Sequence, residues 1–239
     1  MTAKIVVEMM SENAILWRCL HRGSLTIDSI ERYDREGDTP SAKFRDRNLL
    51  LLRNLINTYG TCAVVARVGD RFVGHLRFYP RAVRELAERG LGICLQQEFP
   101  YGPANDFGRT RFPPLEEIED KVLLVHCMML TSGGPEEESF RRKGIGTEMA
   151  RRLIAWATAN GWHAIEATAY VGLPIVYAIS GQAGGGFWEK LGFRLVRTDR
   201  EPALEEESEF VLKMRDEARV QGLDPATIRN KYTMRLDIR

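Results

Sequence analysis

Arg141-Arg142-Lys143-Gly144-Ile145-Gly146-Thr147 is the stretch on which the reading of this chain turns. Ahead of it, Val122 to Leu130 is a near-continuous apolar run of strand length, the pattern of a central strand covered on both faces. Behind it, Ile145, Met149, Leu153 and Trp156 recur every three to four residues, which predicts an amphipathic helix that Asn160-Gly161 ends. Trp162–Tyr170 is strand-like again. Strand, glycine loop, helix and strand make a βαβ unit, so its two strands should be parallel neighbours.

The loop has a chemistry of its own. The first amides of a helix have no intrahelical acceptor, and the helix dipole adds about half a positive charge there. Gly144 and Gly146 carry no Cβ, so the backbone can approach a bulky anion, and Arg141, Arg142 and Lys143 supply positive charge beside it. Together these predict a diphosphate cradle. It is not a Walker loop, because Lys143 precedes Gly144 and no Lys-Ser/Thr pair follows the second glycine. A dinucleotide fingerprint needs a third glycine, and Met149 fills that position.

Outward from this unit the pattern stays globular, without repeats. Lys4–Met10 reads as a strand, and Ser11 as the cap of a helix reaching His21, stopped by Gly23. A second helix is expected over Ala42–Asn57, with Leu49, Leu52 and Ile56 on one face. Thr61–Arg67 and Arg71–Tyr79 read as a hairpin turning at Gly69-Asp70. Arg81–Arg89 reads as a short helix, and 99–114 as a Pro/Gly loop rich in aromatics, the composition of a lid. Towards the C-terminus a short helix over Phe187–Leu191, a strand over Phe193–Arg197, a helix over Pro202–Gln221 and a last strand over Tyr232–Ile238 are expected.

Composition sets outer bounds. The chain has 239 residues, 44% apolar and 28% charged, which is ordinary globular usage. Its 34 Lys+Arg against 33 Asp+Glu leave a formal charge of +1, which argues against a polyanionic nucleic-acid partner. The longest apolar run, Val122–Leu130, is far short of the ~20 residues a membrane helix needs. Cys19, Cys62, Cys94 and Cys127 are far apart with no CxxC, so neither a disulfide framework nor a metal site is indicated. No N-terminal signal is evident, and the expectation is a soluble, reduced, cytoplasmic protein.

At the level of motifs a resemblance becomes specific. Arg141-x-x-Gly144-x-Gly146 matches the Arg/Gln-x-x-Gly-x-Gly/Ala signature of the GNAT superfamily of acyl-CoA-dependent N-acetyltransferases. Phe187-Trp188-Glu189-Lys190-Leu191-Gly192-Phe193 resembles that family's aromatic-Tyr-Glu-Lys-Leu-Gly-Phe helix ending, and Phe72-Val73-Gly74 and Tyr232-Thr-Met234-Arg-Leu236 resemble further family features. The resemblance implies a single α/β domain over 1–239. Its sheet would be mixed and mainly antiparallel, flanked by helices, with a splayed parallel strand pair that holds CoA. Insertions would fall at about 81–120 and 199–230. It also implies acetyl-CoA as cosubstrate with no metal. Amides from Arg142 to Thr147 would bind the pyrophosphate, helped by the Thr147 hydroxyl and by Arg141 and Lys143. Met128, Met129 and Leu130 would pair with the pantetheine arm like an added strand.

The implied reaction is direct attack by a primary amine in a ternary complex, with the amine most simply that of a small molecule. A protein lysine or N-terminal amine is the variant of that reading, and a non-catalytic acyl-CoA-binding module its rival. The family's general acid is often a tyrosine at the position of Trp188, whose indole is a poor proton donor. Tyr170 and Tyr177 are the substitutes, and His126, Glu166 or His75 the candidate bases. Cys127 reads as packing. It neighbours His126, and alternation along a strand should send the two side chains to opposite faces. Glu98 and Asp106 in the insertion could hold a cation, and the apolar face of the 203–221 helix could pack on the sheet or make a homodimer contact.

Overall fold

The computed structural model describes residues 4–17, 20, 25–26, 45–84, 111–131, 140 and 142–238. Its centre is a mixed sheet. The strands are β1 (Ile5–Met9), β2 (Leu25–Thr26), β3 (Ala63–Val68), β4 (Arg71–Pro80), β5 (Val122–Leu130), β6 (Ala164–Ala169), β7 (Arg194–Arg200) and β8 (Asn230–Asp237). They lie in the order β1-β3-β4-β5-β6-β8-β7, with β2 pairing β4. Every pairing is antiparallel except β5 with β6. That pair is the expected βαβ unit.

The helices are α1 (Arg45–Tyr59), α2 (Ile145–Ala159), α3 (Pro174–Ser180), α4 (Gly185–Glu189) and α5 (Glu209–Val220). In α2 the expected stripe is the buried one: Ile145, Met149, Ala150, Leu153 and Ala157 face the sheet. The helix crosses back over β1, β3 and β4, and its apolar residues join Leu76, Phe78, Leu123, Val125 and Ile165 in one core. The opposite face of the sheet is covered by α1 through Leu51, Leu52, Leu55 and Ile56. Each such side chain contributes ~1.5–3 kcal/mol on full burial.

A third, smaller core lies beside these two. Leu173 and Val176 of α3 pack with Leu204, with Val211, Met214 and Ala218 of α5, and with Ile228. The apolar face of α5 is therefore satisfied within the chain, against α3 and the turns at 202–204 and 225–229 rather than on the sheet. The expected helix over Pro202–Gln221 is divided, because Ser208 caps α5 by accepting the Val211 N–H.

Two expectations fail for reasons of partner choice. Ser11 caps no helix; only a short 3-10 turn covers Glu12–Ala14, and Ser11 makes no side-chain cap. Ile15, Leu16 and Trp17 are instead buried as irregular chain, and the buried Arg77 guanidinium donates to the Leu16 carbonyl at 2.6 Å. A backbone acceptor served by a side chain needs no helical amide. The stretch between β6 and Gly184 contains α3, opened by Pro174 at its first position. The last strand also extends further than expected and enters the sheet between β6 and β7. The expected helix at 81–89 is described over 81–84 only, and the lid at 99–114 over 111–114.

Candidate active site

The site grows from the parallel pair. β5 and β6 pair from Val122 with Ala164 to Val125 with Ala167 and no further. Beyond that point each strand follows its other neighbour, β5 along β4 to Leu130 and β6 along β8 to Ala169. The two strands splay, and a slot opens between them.

A β-bulge marks the apex of the slot. Arg77 pairs with Cys127 but Phe78 with Val125, so His126 is the extra residue. This corrects the expected alternation. His126 packs its ring 5.5 Å from that of Tyr79, while Cys127 Sγ lies 3.2 Å from His75 Nε2. Tyr79 and His75 are on one face of β4, so both side chains lean to that face.

The mouth of the slot is the first turn of α2. Gly144 is its N-cap at φ +76°, and Arg142 also has a positive φ of 56°. Left-handed residues this close together turn successive amides into an anion-binding concavity. Nothing lies within 4 Å of where a Cβ on Gly144 would be. At Gly146 a Cβ would stand 3.6 Å from the Met128 thioether and 3.8 Å from the Phe187 ring, so α2, β5 and α4 converge there. Arg142 and Lys143 are exposed, Thr147 is half-buried and Ile145 is in the core; Arg141 lies outside the described residues. This end of the slot fits a diphosphate.

At the arm's end of the slot the chain itself lies along the strand edge. The Met128 N–H donates to the Gly181 carbonyl at 2.8 Å, and the Leu130 N–H to the Tyr177 hydroxyl at 3.2 Å. Gln182 Nε2 donates to the His126 carbonyl at 2.5 Å. On the far side Tyr170 bridges Gly184 in parallel, and the Gly185 N–H donates to the Tyr170 carbonyl at 3.3 Å. The segment from Tyr177 to Gly185 is stitched to both strands. The Met128 and Leu130 amides expected to receive an arm already hold partners from this chain.

The remaining candidates separate cleanly. Trp188 is 1% exposed, stacked against Phe187 and Phe193, and its Nε1–H has no hydrogen-bond partner among the described residues. Tyr170 donates to Glu201 Oε2 at 2.8 Å; burial, then the Glu201 hydrogen bond and charge, push its phenol well above the ordinary range. Glu166 is clasped on both oxygens, by Arg235 at 2.9 Å and Arg81 at 2.6 Å, and Arg81 also pairs with Asp120. Its lone pairs are engaged, which suits a structural hub rather than a proton acceptor.

Beside Glu166, on the face of the sheet that carries His126, lies a pocket of about 460 Å³. Arg81, Arg84, Leu124, Val196, Arg197 and Thr233 complete its walls. Among the described residues no cluster of His, Cys, Asp or Glu is placed to hold a metal ion, and no helix is long and apolar enough to cross a membrane. Glu98 and Asp106 lie outside the described residues. The His75–Cys127 pair and the Arg81–Glu166–Arg235 hub were not legible in the residue pattern, because both depend on cross-strand register. Gly181 and Gln182 belong to a glycine-rich run visible in the sequence, but its docking on β5 was not.

No protein-family model and no curated protein matches the chain. Solved structures do. An acetyltransferase of the GNAT family from Streptococcus pneumoniae is 11% identical with a TM-score of 0.49, covering 98% of this chain and 100% of that one. An IAA acetyltransferase from Bacillus cereus is 13% identical with a TM-score of 0.44, covering 98% and 100%. A GNAT-superfamily phosphinothricin acetyltransferase from Sinorhizobium meliloti, solved with acetyl-CoA, is 13% identical with a TM-score of 0.46, covering 98% and 88%. The mixed sheet with its splayed parallel pair is the arrangement that the sequence resemblance implies.

Proposed function

We propose that the protein is an N-acetyltransferase that moves an acetyl group from acetyl-CoA to a primary amine of a small molecule, by direct attack. One observation carries the reading. The parallel strands part after Val125 and Ala167, and the glycine-opened first turn of α2 stands at the mouth of the gap, with Gly146 against Met128 and Phe187. A diphosphate placed there meets unpaired helix amides and the positive charge of Arg142 and Lys143.

The chemistry needs three services. An alkyl amine, with a pKa of about 10.4, must shed a proton before it attacks. His126 is placed for that transfer, at the bulge and on the face that holds the pocket. The thioester carbonyl needs donors as its oxygen gains charge, and the Met128 amide beside the bulge is the candidate once it is released from Gly181. The departing thiolate takes a proton or leaves as it is, since a thiol of pKa near 8.5 is a fair leaving group. Tyr177 is the candidate donor, because its hydroxyl lies in the slot whereas that of Tyr170 is committed to Glu201.

Calorimetry with acetyl-CoA, followed by thiol release with a panel of amines, tests the proposal. A Cβ at Gly146 meets only ordinary contacts, and circular dichroism and Gly146→Ala serve as folding controls for Gly146→Glu. Gly146→Glu should lose at least tenfold in acetyl-CoA affinity by placing an anion in the cradle. Unchanged affinity in that variant would overturn the reading.

A further inference from the structure

Three groups on the edge of β5 that faces the slot are taken by the chain itself. They are the His126 carbonyl and the Met128 and Leu130 amides, and they bond Gln182, Gly181 and Tyr177 in that order. This is strand addition performed by the chain on itself, with one side-chain amide, one backbone carbonyl and one hydroxyl in place of a strand's ladder. We infer that residues 177–182 are an internal stand-in for the coenzyme's pantetheine arm, a strap that must leave β5 before the arm can pair there. The inference rests on the acyl-CoA reading of α2 and β5.

Local structure suits a segment that has to move. α3 is only seven residues long, and its last turn ends on Gly181, at φ +62°. That turn is held by the Gly181 N–H to the Tyr177 carbonyl at 3.0 Å and by Ser180 Oγ to the Val176 carbonyl at 2.8 Å. After Gln182 and Ala183 the chain is pinned again at Gly184, which bridges Tyr170 and where a Cβ would stand 2.8 Å from Gly172 Cα, so the moving part lies between two anchors. The other end of α3 is anchored, because Leu173 and Val176 are buried in the small core with α5. Peeling the last turn therefore leaves the helix attached. Each hydrogen bond the strap gives up on β5 is replaced by one to the arm, so the exchange is close to balanced in bonds.

The strap also orders events. When the arm takes the Leu130 amide, the Tyr177 hydroxyl gives up that donor and stays beside the slot, where the thiolate departs. Its nucleotide end does not meet the strap, because the α2 turn is open already. The coenzyme should dock in two stages, diphosphate first and arm second.

Hydrogen exchange on the wild-type protein tests this directly, with acetyl-CoA and with 3′-phospho-ADP, which has the nucleotide and diphosphate but no arm. Acetyl-CoA should speed exchange of the 177–182 amides by about tenfold or more while the Met128 and Leu130 amides stay protected. 3′-Phospho-ADP should bind and leave 177–182 unchanged. Acetyl-CoA binding with 177–182 unchanged or slowed would overturn the strap and leave the acyl-CoA reading standing. Binding of neither ligand would overturn both. A second measurement uses Tyr177→Phe with Gln182→Ala, which removes two tethers. Acetyl-CoA should bind the double variant about tenfold more tightly and 3′-phospho-ADP equally well. Equal or weaker acetyl-CoA binding would count against the strap.

Discussion

His75 Nε2 lies 3.2 Å from Cys127 Sγ, and both side chains are buried between β4 and β5. The contact pins the residue that follows His126 in the bulge, so it sets the position of the candidate base. A thiol beside an imidazole also invites the thought of an acyl-enzyme, but the pair is shielded and the slot offers direct attack. Cys127→Ala should therefore keep kcat within about threefold, and intact-mass analysis with acetyl-CoA alone should show no acetyl adduct. His126→Gln should lower kcat by about 10²–10⁴, the usual contribution of a positioned base.

The second described thiol behaves differently. Cys62 is 1% exposed, and burial pushes its thiol from 9.0 up to about 12, with the charge of Arg77 pulling the other way. The folded state therefore holds this proton where the unfolded chain releases it. That contribution to stability is complete below pH 9 and is lost as pH climbs from 9 towards 12. The urea midpoint of the wild type should fall across that window, and Cys62→Ala should flatten the first part of the fall. In native protein at pH 8 Cys62 should resist alkylation until the chain unfolds.

The two tyrosines divide by their partners. Tyr170→Phe removes one hydrogen bond to Glu201, which is also 3.7 Å from Lys231, and should cost about 1 kcal/mol of stability. Its kcat should stay within about twofold. Tyr177→Phe should instead lower kcat by about tenfold or more, with most of the loss recovered on a thioester whose thiol has a lower pKa. Comparing kcat for the two variants on both thioesters separates the roles.

The parts of the fold written in local pattern were legible beforehand. Ile145, Met149 and Leu153 repeat at helical spacing, and Val122–Leu130 fits a central strand, so the βαβ unit followed from residue spacing. What stayed hidden was decided by partners distant in sequence. Arg77 serves the Leu16 carbonyl and so removes the need for a helix after Ser11. The bulge at His126 comes from the register of β4 on β5, which no alternation rule contains. The filling of the slot by Tyr177, Gly181 and Gln182 is likewise tertiary; the glycines showed that the loop could turn, but not where it would dock.

The small core behind α3 offers the last test, because it is separate from the two cores that sandwich the sheet. Met214 is fully buried there with Val211, Leu173 and Val176. Met214→Ala should cost about 2–5 kcal/mol within that cluster, as truncation leaves a cavity that short helices close only in part. α5 touches the rest of the fold mainly through this cluster, so the loss should be felt locally before globally. Hydrogen exchange should quicken over 173–180 and 209–220, while the α2 amides at Met149 and Leu153 keep their protection. A uniform rise across α2 and β5 would mean instead that the three cores unfold as one unit.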